Sequence, residues 1–432
     1  MREPINEKAL PPGWKWVKLG EIAKWGSGGT PKSTNIEYYD GDIPWLTIGD
    51  LTDGDVYFSE KKITENGLKN SSAKLLNREC VLIAMYGSIG KLGINKIPLA
   101  TNQAIAFTEK LNATVSNKFL FFYLFHIRSK LHSIGKGGTQ KNISQTVLKQ
   151  VDFPLPSLPI QQNIVSKIEE LFSELDKGVE SLKTAQQQLK TYRQSVLKWA
   201  FEGKLTREEG RGKREELPMA AEQTEDYLTD LPEGWRWVKL KEIALEITDG
   251  DHQPPPKTST GVPFITISNI DKHTNKIDFS KTFSVSSTYY GKLKNNRKPS
   301  IGDILYTVTG SFGIPILIDF EKEFCFQRHV GLIRPLTSVN QRWLYYLLQS
   351  QLIYNQAKKT ATGTAQKTVA LNSLRNFIIP MCPYEEQQTI TMAIETRLSV
   401  ADKMEESIFQ SLQQAEALRQ SILKRAFEGR LV

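Results

Sequence analysis

Two stretches of this 432-residue chain carry glycines and a lysine at spacings that suggest phosphate chemistry, and each fails at one residue. In Gly26-Ser27-Gly28-Gly29-Thr30-Pro31-Lys32-Ser33, Pro31 stands where a nucleotide-binding loop has its last glycine, and proline offers no N–H to a phosphate. In Gly87-Ser88-Ile89-Gly90-Lys91-Leu92, Leu92 stands where a magnesium-binding hydroxyl belongs. Methyl transfer to an amino nitrogen wants Asn or Asp ahead of Pro-Pro and an aromatic. The run Gln253-Pro254-Pro255-Pro256-Lys257 lacks the aromatic and a correctly placed acid or amide. His126, His132, His252, His273 and His329 never fall at metal-ligand spacing, and no GxSxG elbow occurs. Cys80, Cys325 and Cys382 lie far apart without a CxxC pair, which fits buried thiols in a reducing compartment. No catalytic constellation emerges.

Contact with a polyanion is better supported. Gly-rich turns flanked by Lys, Thr and Gln let backbone amides approach phosphates while longer side chains reach base edges. Two such stretches occur: Gly135 to Asn142, with Lys136, Thr139, Gln140 and Lys141, and Lys358 to Lys367, with Lys358, Lys359, Thr364, Gln366 and Lys367. Thr30 and Lys32, Ser88 and Lys91, Ser311, and the pair Gln327 and Arg328 complete the candidate set, with the Asp249-Gly250-Asp251-His252 turn beside them. The competing reading of each stretch is a plain solvated loop.

The chain that must position these residues is one unit written twice. Leu10-Pro11-Pro12-Gly13-Trp14-Lys15-Trp16-Val17-Lys18-Leu19 returns as Leu231-Pro232-Glu233-Gly234-Trp235-Arg236-Trp237-Val238-Lys239-Leu240. Tyr86-Gly87-Ser88-Ile89-Gly90 returns as Thr309-Gly310-Ser311-Phe312-Gly313, and Asn102-Gln103 aligns with Phe326-Gln327. Between these markers the copies differ: residues 35–42 share little with residues 252–261. One scaffold thus carries two different surfaces. Short apolar runs at 81–84, 304–308 and 314–318, Gly and Pro turns, and a helix over 117–132 predict an α+β body in each copy.

Each copy closes on a long helix, Gln161 to Leu205 and Gln387 to Leu431, ending in Phe-Glu-Gly-Lys-Leu and Phe-Glu-Gly-Arg-Leu. The first has a heptad seam through Ile164, Ile168, Leu171, Leu175, Leu182, Leu189, Tyr192 and Val196. The second keeps Ile390, Ile394, Ala401, Met404, Ile408, Leu418 and Ile422 in frame, with Leu398 and Leu412 one position late. At ~40 residues, roughly 60 Å, each needs a partner for its stripe, and the partner within the chain is the other copy. One strand of a homodimeric coiled coil is the alternative.

Charge follows the same division. The net +9 resolves into +6 over residues 1–160, +1 over 161–205, −4 over 206–230, +7 over 231–385 and −1 over 386–432. The basic excess lies in the two globular segments, as for a polyanion gripped at two places. The expected organisation is therefore a first domain (1–160), a long helix (161–205), a charged linker (206–230), a second domain (231–385) and a second long helix (386–432). No apolar run is long enough to span a bilayer, so no membrane association and a cytoplasmic location are expected.

Taken together, this layout resembles the specificity subunit of type I restriction-modification systems, the HsdS family. The resemblance rests on the paired Leu-Pro-x-Gly-Trp-x-Trp-Val-Lys-Leu openings, the Gly-Gly-Thr-Pro and Tyr-Gly-Ser-Ile-Gly turns, the Gly-Thr-Gln-Lys-Asn-Ile stretch and the Phe-Glu-Gly helix ends. It implies two pseudo-symmetric α/β target-recognition domains separated by two long antiparallel coiled-coil helices, and no catalysis in this chain. It implies double-stranded DNA as ligand, read as a split sequence with one half per domain. It further implies two adenine-N6 methyltransferase subunits using S-adenosylmethionine and restriction subunits using ATP and Mg, with no cofactor in this chain. The second copy departs at Asp249-Gly250-Asp251, set against Gly28-Gly29-Thr30. The contrasting expectations are a coiled-coil scaffold whose paired helices dock other proteins, its non-specific basic domains being incidental, and an enzyme with an unfamiliar site.

Overall fold

A computed structural model describes residues 10–135, 141–205, 231–252, 255–272, 274–364 and 366–432. The expected linker 206–230 lies outside the described residues. Two compact units divide the chain: residues 1–182 with 410–432, and residues 183–409.

In the first unit the strands are β1 (Lys15–Lys18), β2 (Ala23–Ser27), β3 (Tyr39–Leu46), β4 (Gly54–Val56), β5 (Lys62–Ile63), β6 (Val81–Ala84), β7 (Leu92–Asn95), β8 (Ala100–Thr101), β9 (Ile105–Leu111) and β10 (Asp152–Leu155). The helices are α1 (Leu19–Ile22), α2 (Glu65–Lys69), α3 (Asn117–His126), α4 (Arg128–Ile134), α5 (Gln145–Lys149) and the first part of the long α6 (Leu158–Phe201), whose residues from Lys183 on belong to the second unit. The main sheet runs β2-β9-β6-β7-β4, with only β4 parallel to its neighbour. A small sheet, β5-β3-β8, stands beside it, and β1 pairs with β10. Strand β6 is an unbroken apolar run because both its faces are covered. Val81 and Ile83 join one buried cluster, while Leu82 and Ala84 join another.

The second unit repeats this plan. Its strands are β11 (Arg236–Lys239), β12 (Ala244–Asp249), β13 (Val262–Ile265), β14 (Ile270–Asp271), β15 (Lys276–Ile277), β16 (Phe283–Val285), β17 (Ile304–Thr307), β18 (Pro315–Leu317), β19 (Cys325–Phe326), β20 (Val330–Pro335) and β21 (Ile378–Met381). Its helices are α7 (Ser287–Lys292), α8 (Gln341–Leu348), α9 (Gln351–Thr360), α10 (Leu371–Arg375) and the first part of the long α11 (Tyr384–Phe427), whose residues from Gln410 on belong to the first unit. The main sheet is β12-β20-β17-β18, the small one β16-β13-β19, and β11 pairs with β21 in the register of β1 with β10. In both small sheets the inner strand pairs in parallel with the short one, β3 with β8 and β13 with β19. The hairpin β14–β15 belongs to the second unit alone among the described residues.

A buried glutamine seats each long helix. The Gln161 Oε1 accepts from the Ser116 N–H at 2.8 Å, and its Nε2 donates to the Thr114 and Pro156 carbonyls at 2.9 Å. Gln387 does the same work, accepting from the Asn340 N–H at 2.8 Å and donating to the Cys382 carbonyl at 2.9 Å. Both side chains are fully buried, while Gln162 and Gln388 beside them are exposed. Helix α6 starts at Leu158, three residues ahead of the expected start, because Pro159 is tolerated in a first turn.

The long helices end at glycines in the left-handed region, Gly203 (φ 68°) and Gly429 (φ 67°). A Cβ at Gly203 would lie 2.3 Å from the Pro232 ring, and one at Gly429 would lie 2.2 Å from the Pro11 ring. Each Leu-Pro opening therefore rests on the end of the long helix that precedes it around the repeat, with α11 closing back on the start of the first unit. Phe427 sits among Phe119, Tyr123 and Phe153 in the first core, and Phe201 packs edge-on against Trp343 in the second. His126 stacks on Phe427, and burial pushes its pKa down.

The helices pack antiparallel. Within the first unit Asp176 pairs with Arg419, which lies over the Phe172 ring, and Ile164 and Ile168 meet Ile422, Leu423 and Ala426. Within the second, Arg193 bridges Asp402 and Glu405 at 2.6 and 2.8 Å, and Val196 shares a cluster with Ile390 and Ile394. Leu171, Leu175, Leu182, Leu189 and Tyr192 are half-buried, and Ile408 is buried. On α11, Met404 and Leu418 are 53% and 51% exposed, and Leu398 packs inward. A 3.6-residue turn drifts about 20° per heptad against a 3.5 repeat, enough to carry these residues off the seam where no supercoil corrects it.

Replacing Gln161 by alanine leaves one amide and two carbonyls without partners. The substitution should lower unfolding stability by about 1–3 kcal/mol, with Gln162→Ala near neutral, as thermal and denaturant unfolding will measure.

Candidate nucleic-acid interface

In the first unit the end of β2, the starts of β4, β7 and β9 and the end of β6 fall on one edge of the main sheet, by the directions of the pairing. Four loops therefore meet there. Thr30 and Lys32 follow β2 and are exposed; the Thr30 hydroxyl bonds the Gln103 side chain from the β8–β9 turn. Ser88 is exposed on the β6–β7 turn, where Gly87 (φ 62°) and Gly90 (φ 81°) take the left-handed backbone. Tyr86 bridges to Asn142, and Ile143 donates to the Met85 carbonyl at 3.0 Å, which brings Lys141 to the same edge. Lys136, Thr139 and Gln140 lie outside the described residues. Lys91 points inward: its ammonium donates to the Ile48 and Gly49 carbonyls at 3.3 Å and braces the segment after β3.

The Gly28-Gly29 pair has a steric purpose. Their amides are taken by the Ile105 and Thr101 carbonyls, and a Cβ at Gly28 would lie 2.0 Å from the Thr101 oxygen. They let β2 pass close to β8.

The second unit gathers the corresponding loops. Ser311 is exposed between Gly310 (φ 71°) and Gly313 (φ 92°). Gly310 donates to the Lys367 carbonyl at 2.9 Å, and Thr309 and Thr362 both bridge to Thr368. The loop bearing exposed Thr364, Gln366 and Lys367 is thereby fixed against the turn. Lys358 and Lys359 are exposed in the last turn of α9, ahead of this loop. Arg328 is exposed, while Gln327 is half-buried with its side chain against the His329 ring nitrogen. Burial foremost, then the Arg328 charge, lowers the His329 pKa, so the ring is neutral at neutral pH. Arg297 bonds Asp251 at 3.1 Å and lies 3.5 Å from Asp249, which also meets His252 at 3.1 Å. These contacts offset acidic charge that would otherwise repel phosphate.

Backbone bonding corrects the alignment of the copies by one residue. Gln327 donates to the Ile265 carbonyl as Asn102 does to the Leu46 carbonyl, so Arg328 is the counterpart of Gln103. Gly250 abuts the Phe326 carbonyl as Gly28 abuts that of Thr101, which sets Asp249-Gly250-Asp251 against Ser27-Gly28-Gly29. Sequence reasoning passed over Gln103 for want of that register, and over the contact of Arg128 with Asp53, residues 75 apart in the chain.

Among the described residues no group of His, Cys, Asp and Glu is arranged to hold a metal ion, and no helix is long and apolar enough to cross a membrane. The three cysteines are free and buried. Burial pushes Cys80 up to about 11 and Cys325 and Cys382 up to about 12, which makes them poor nucleophiles.

The family described as "Type I restriction modification DNA specificity domain" matches residues 11–189 and 232–414. The chain is 24% identical over 424 residues to the specificity subunit of the type I restriction enzyme EcoBI of Escherichia coli, covering 97% of this chain and 86% of that protein. It is 24% identical over 437 residues to the specificity subunit of the type I restriction enzyme MjaVIII of Methanocaldococcus jannaschii, covering 98% of this chain and 94% of that protein. A chain solved in work on the structural basis of complex assembly and conformational transition of the type I R-M system is similar in fold, with a TM-score of 0.72 at 20% identity, covering 98% of this chain and 100% of that one. The crystal structure of the HsdS subunit from Thermoanaerobacter tengcongensis gives a TM-score of 0.53 at 20% identity, covering 98% and 99%.

Native thiols should alkylate at pH 8 at least about a hundredfold more slowly than in the unfolded chain, since two or more units of upward shift remove that much thiolate. Iodoacetamide labelling followed by mass spectrometry measures both rates.

Proposed function

Because the chain belongs to the type I restriction modification DNA specificity domain family, we propose that it is the DNA sequence-specificity subunit of a type I restriction-modification complex. It binds a bipartite duplex target, one half per unit, and positions adenine-N6 methyltransferase and restriction subunits. One observation carries the reading: the same framework occurs twice, and each copy presents its loops from the same edge of its main sheet, while the loops themselves differ. Framework repetition with loop divergence is what two readers of two different sequences require. Lys32, Lys141, Lys358, Lys359 and Lys367 supply charge for phosphates, and Thr30, Gln103, Ser88, Ser311, Gln366 and Arg328 supply side chains for base edges.

The chain contributes recognition and leaves the chemistry to its partners. Two methyltransferase subunits would bring S-adenosylmethionine and flip the target adenine, and the restriction subunits would bring ATP and Mg. The long helices offer the docking surface. Leu189, Tyr192, Val400, Ala401 and Met404 line an apolar groove along them in the second unit, and half-exposed Val400 and Met404 suit burial by another protein. Such a complex works in the cytoplasm, where the chromosome is.

A scaffold with indifferent basic domains is the competing reading, and methylation separates the two. Coexpression with the methyltransferase partner in a host free of adenine methylation should produce N6-methyladenine within one motif of two specified blocks around an unspecified gap. Sequencing that detects modified bases reads this directly. Methylation at a continuous motif, or at none, would overturn the proposal.

A further inference from the structure

The turn Tyr86–Gly90 projects its exposed Tyr86 and Ser88 from the recognition edge, and one guanidinium grips it from below. Arg128, the first residue of α4, donates from Nε to the Gly90 carbonyl at 2.8 Å, from Nη1 to the Asp53 carboxylate at 3.0 Å, and from Nη2 to its other oxygen. The guanidinium lies over the Phe125 ring at 4.5 Å, which covers one of its faces. Asp53 in turn accepts from the Leu92 N–H at 2.9 Å, so the pair holds the chain on both sides of Lys91. Asp53 itself takes the left-handed backbone (φ 62°), a conformation these bonds stabilise at the start of β4.

The equivalent turn of the second unit is held without an ion pair among the described residues. The Thr307 hydroxyl donates to the Ser311 carbonyl at 2.7 Å and accepts from the Ile314 N–H at 2.9 Å. The residue matching Thr307 on β6 is Ala84, which has no hydroxyl to offer. Where Arg128 abuts Gly90, Tyr354 abuts Gly313, and its ring stacks on Phe312 at 5.9 Å and 17°. The same turn is therefore fixed by a planar charge in one unit and by a stacked aromatic in the other.

We propose that Arg128 is the positioning residue for half-site reading by the first unit, acting through Asp53 and the Gly90 carbonyl on Tyr86 and Ser88, and that Tyr354 has this role in the second. The proposal rests on the functional reading above. A recognition turn discriminates bases only if its side chains are held in place before contact. Lysine cannot replace the arginine, because a point charge does not bond a carboxylate and a carbonyl in one plane.

The test uses the full complex with its methyltransferase partner and duplexes carrying single base changes in either half of the target. Arg128→Met should reduce discrimination in the first half about tenfold, the value of one well-placed base contact, with discrimination in the second half unchanged. Arg128→Lys and Asp53→Asn should relax the first half in the same direction, and Tyr354→Ala should relax only the second. If Arg128→Met fails to fold, Arg128→Lys and Asp53→Asn decide. A wild-type complex that reads a split target while these variants keep full discrimination, or lose it equally in both halves, overturns the inference. A wild-type complex with no split target overturns the functional reading instead.

Discussion

Gln161 and Gln387, one buried amide at the start of each long helix, tie that helix to the body it follows. Each joins the turn before α3 or α8, 45 or 47 residues away in the chain, to the junction between β10 and α6 or between β21 and α11. Asn340 and Ser116, the residues whose amides are bonded, also cap α8 and α3. A fully buried amide that spends both its acceptor and its donors is costly to disturb, because every removed bond strands a backbone group away from water. Each long helix is thereby fixed, at its start, to the body whose sheet carries the loops.

The repeat made most of this legible. Paired motifs announced two copies, and the heptads announced paired helices; the side-chain period of β6 and β17 was hidden because both faces are buried. What the letters could not give was register. Gln103 and Arg328 occupy one place in the framework, yet the neighbouring letters suggested a match one residue away. Only the bonds of Asn102 and Gln327 to β3 and β13 reveal it. The glycines after β2 show a second limit. Gly28-Gly29 reads as part of a phosphate loop, but its amides are already spent on backbone carbonyls, and its lack of side chains serves strand packing.

The candidate site was less legible than the fold for a physical reason. Surface lysines and threonines are recognisable by type, but whether one faces solvent or braces the fold depends on contacts remote in sequence. Lys91 has the composition of a phosphate ligand and spends its ammonium on the Ile48 and Gly49 carbonyls. Arg128 lies in no recognisable motif, yet it reaches both Gly90 and Asp53. On α11 the heptad frame assigned Met404 and Leu418 to the seam, yet both are more than half exposed.

The central claim is that each unit reads one half of the target independently of the other. Exchange of residues 25–152 for the corresponding span of another specificity subunit tests it most directly, with adenine methylation mapped across the genome of a host expressing the chimaera and its methyltransferase. The account predicts a new first half joined to the original second half. A chimaera that folds, binds its partner and changes both halves, or neither, would contradict it.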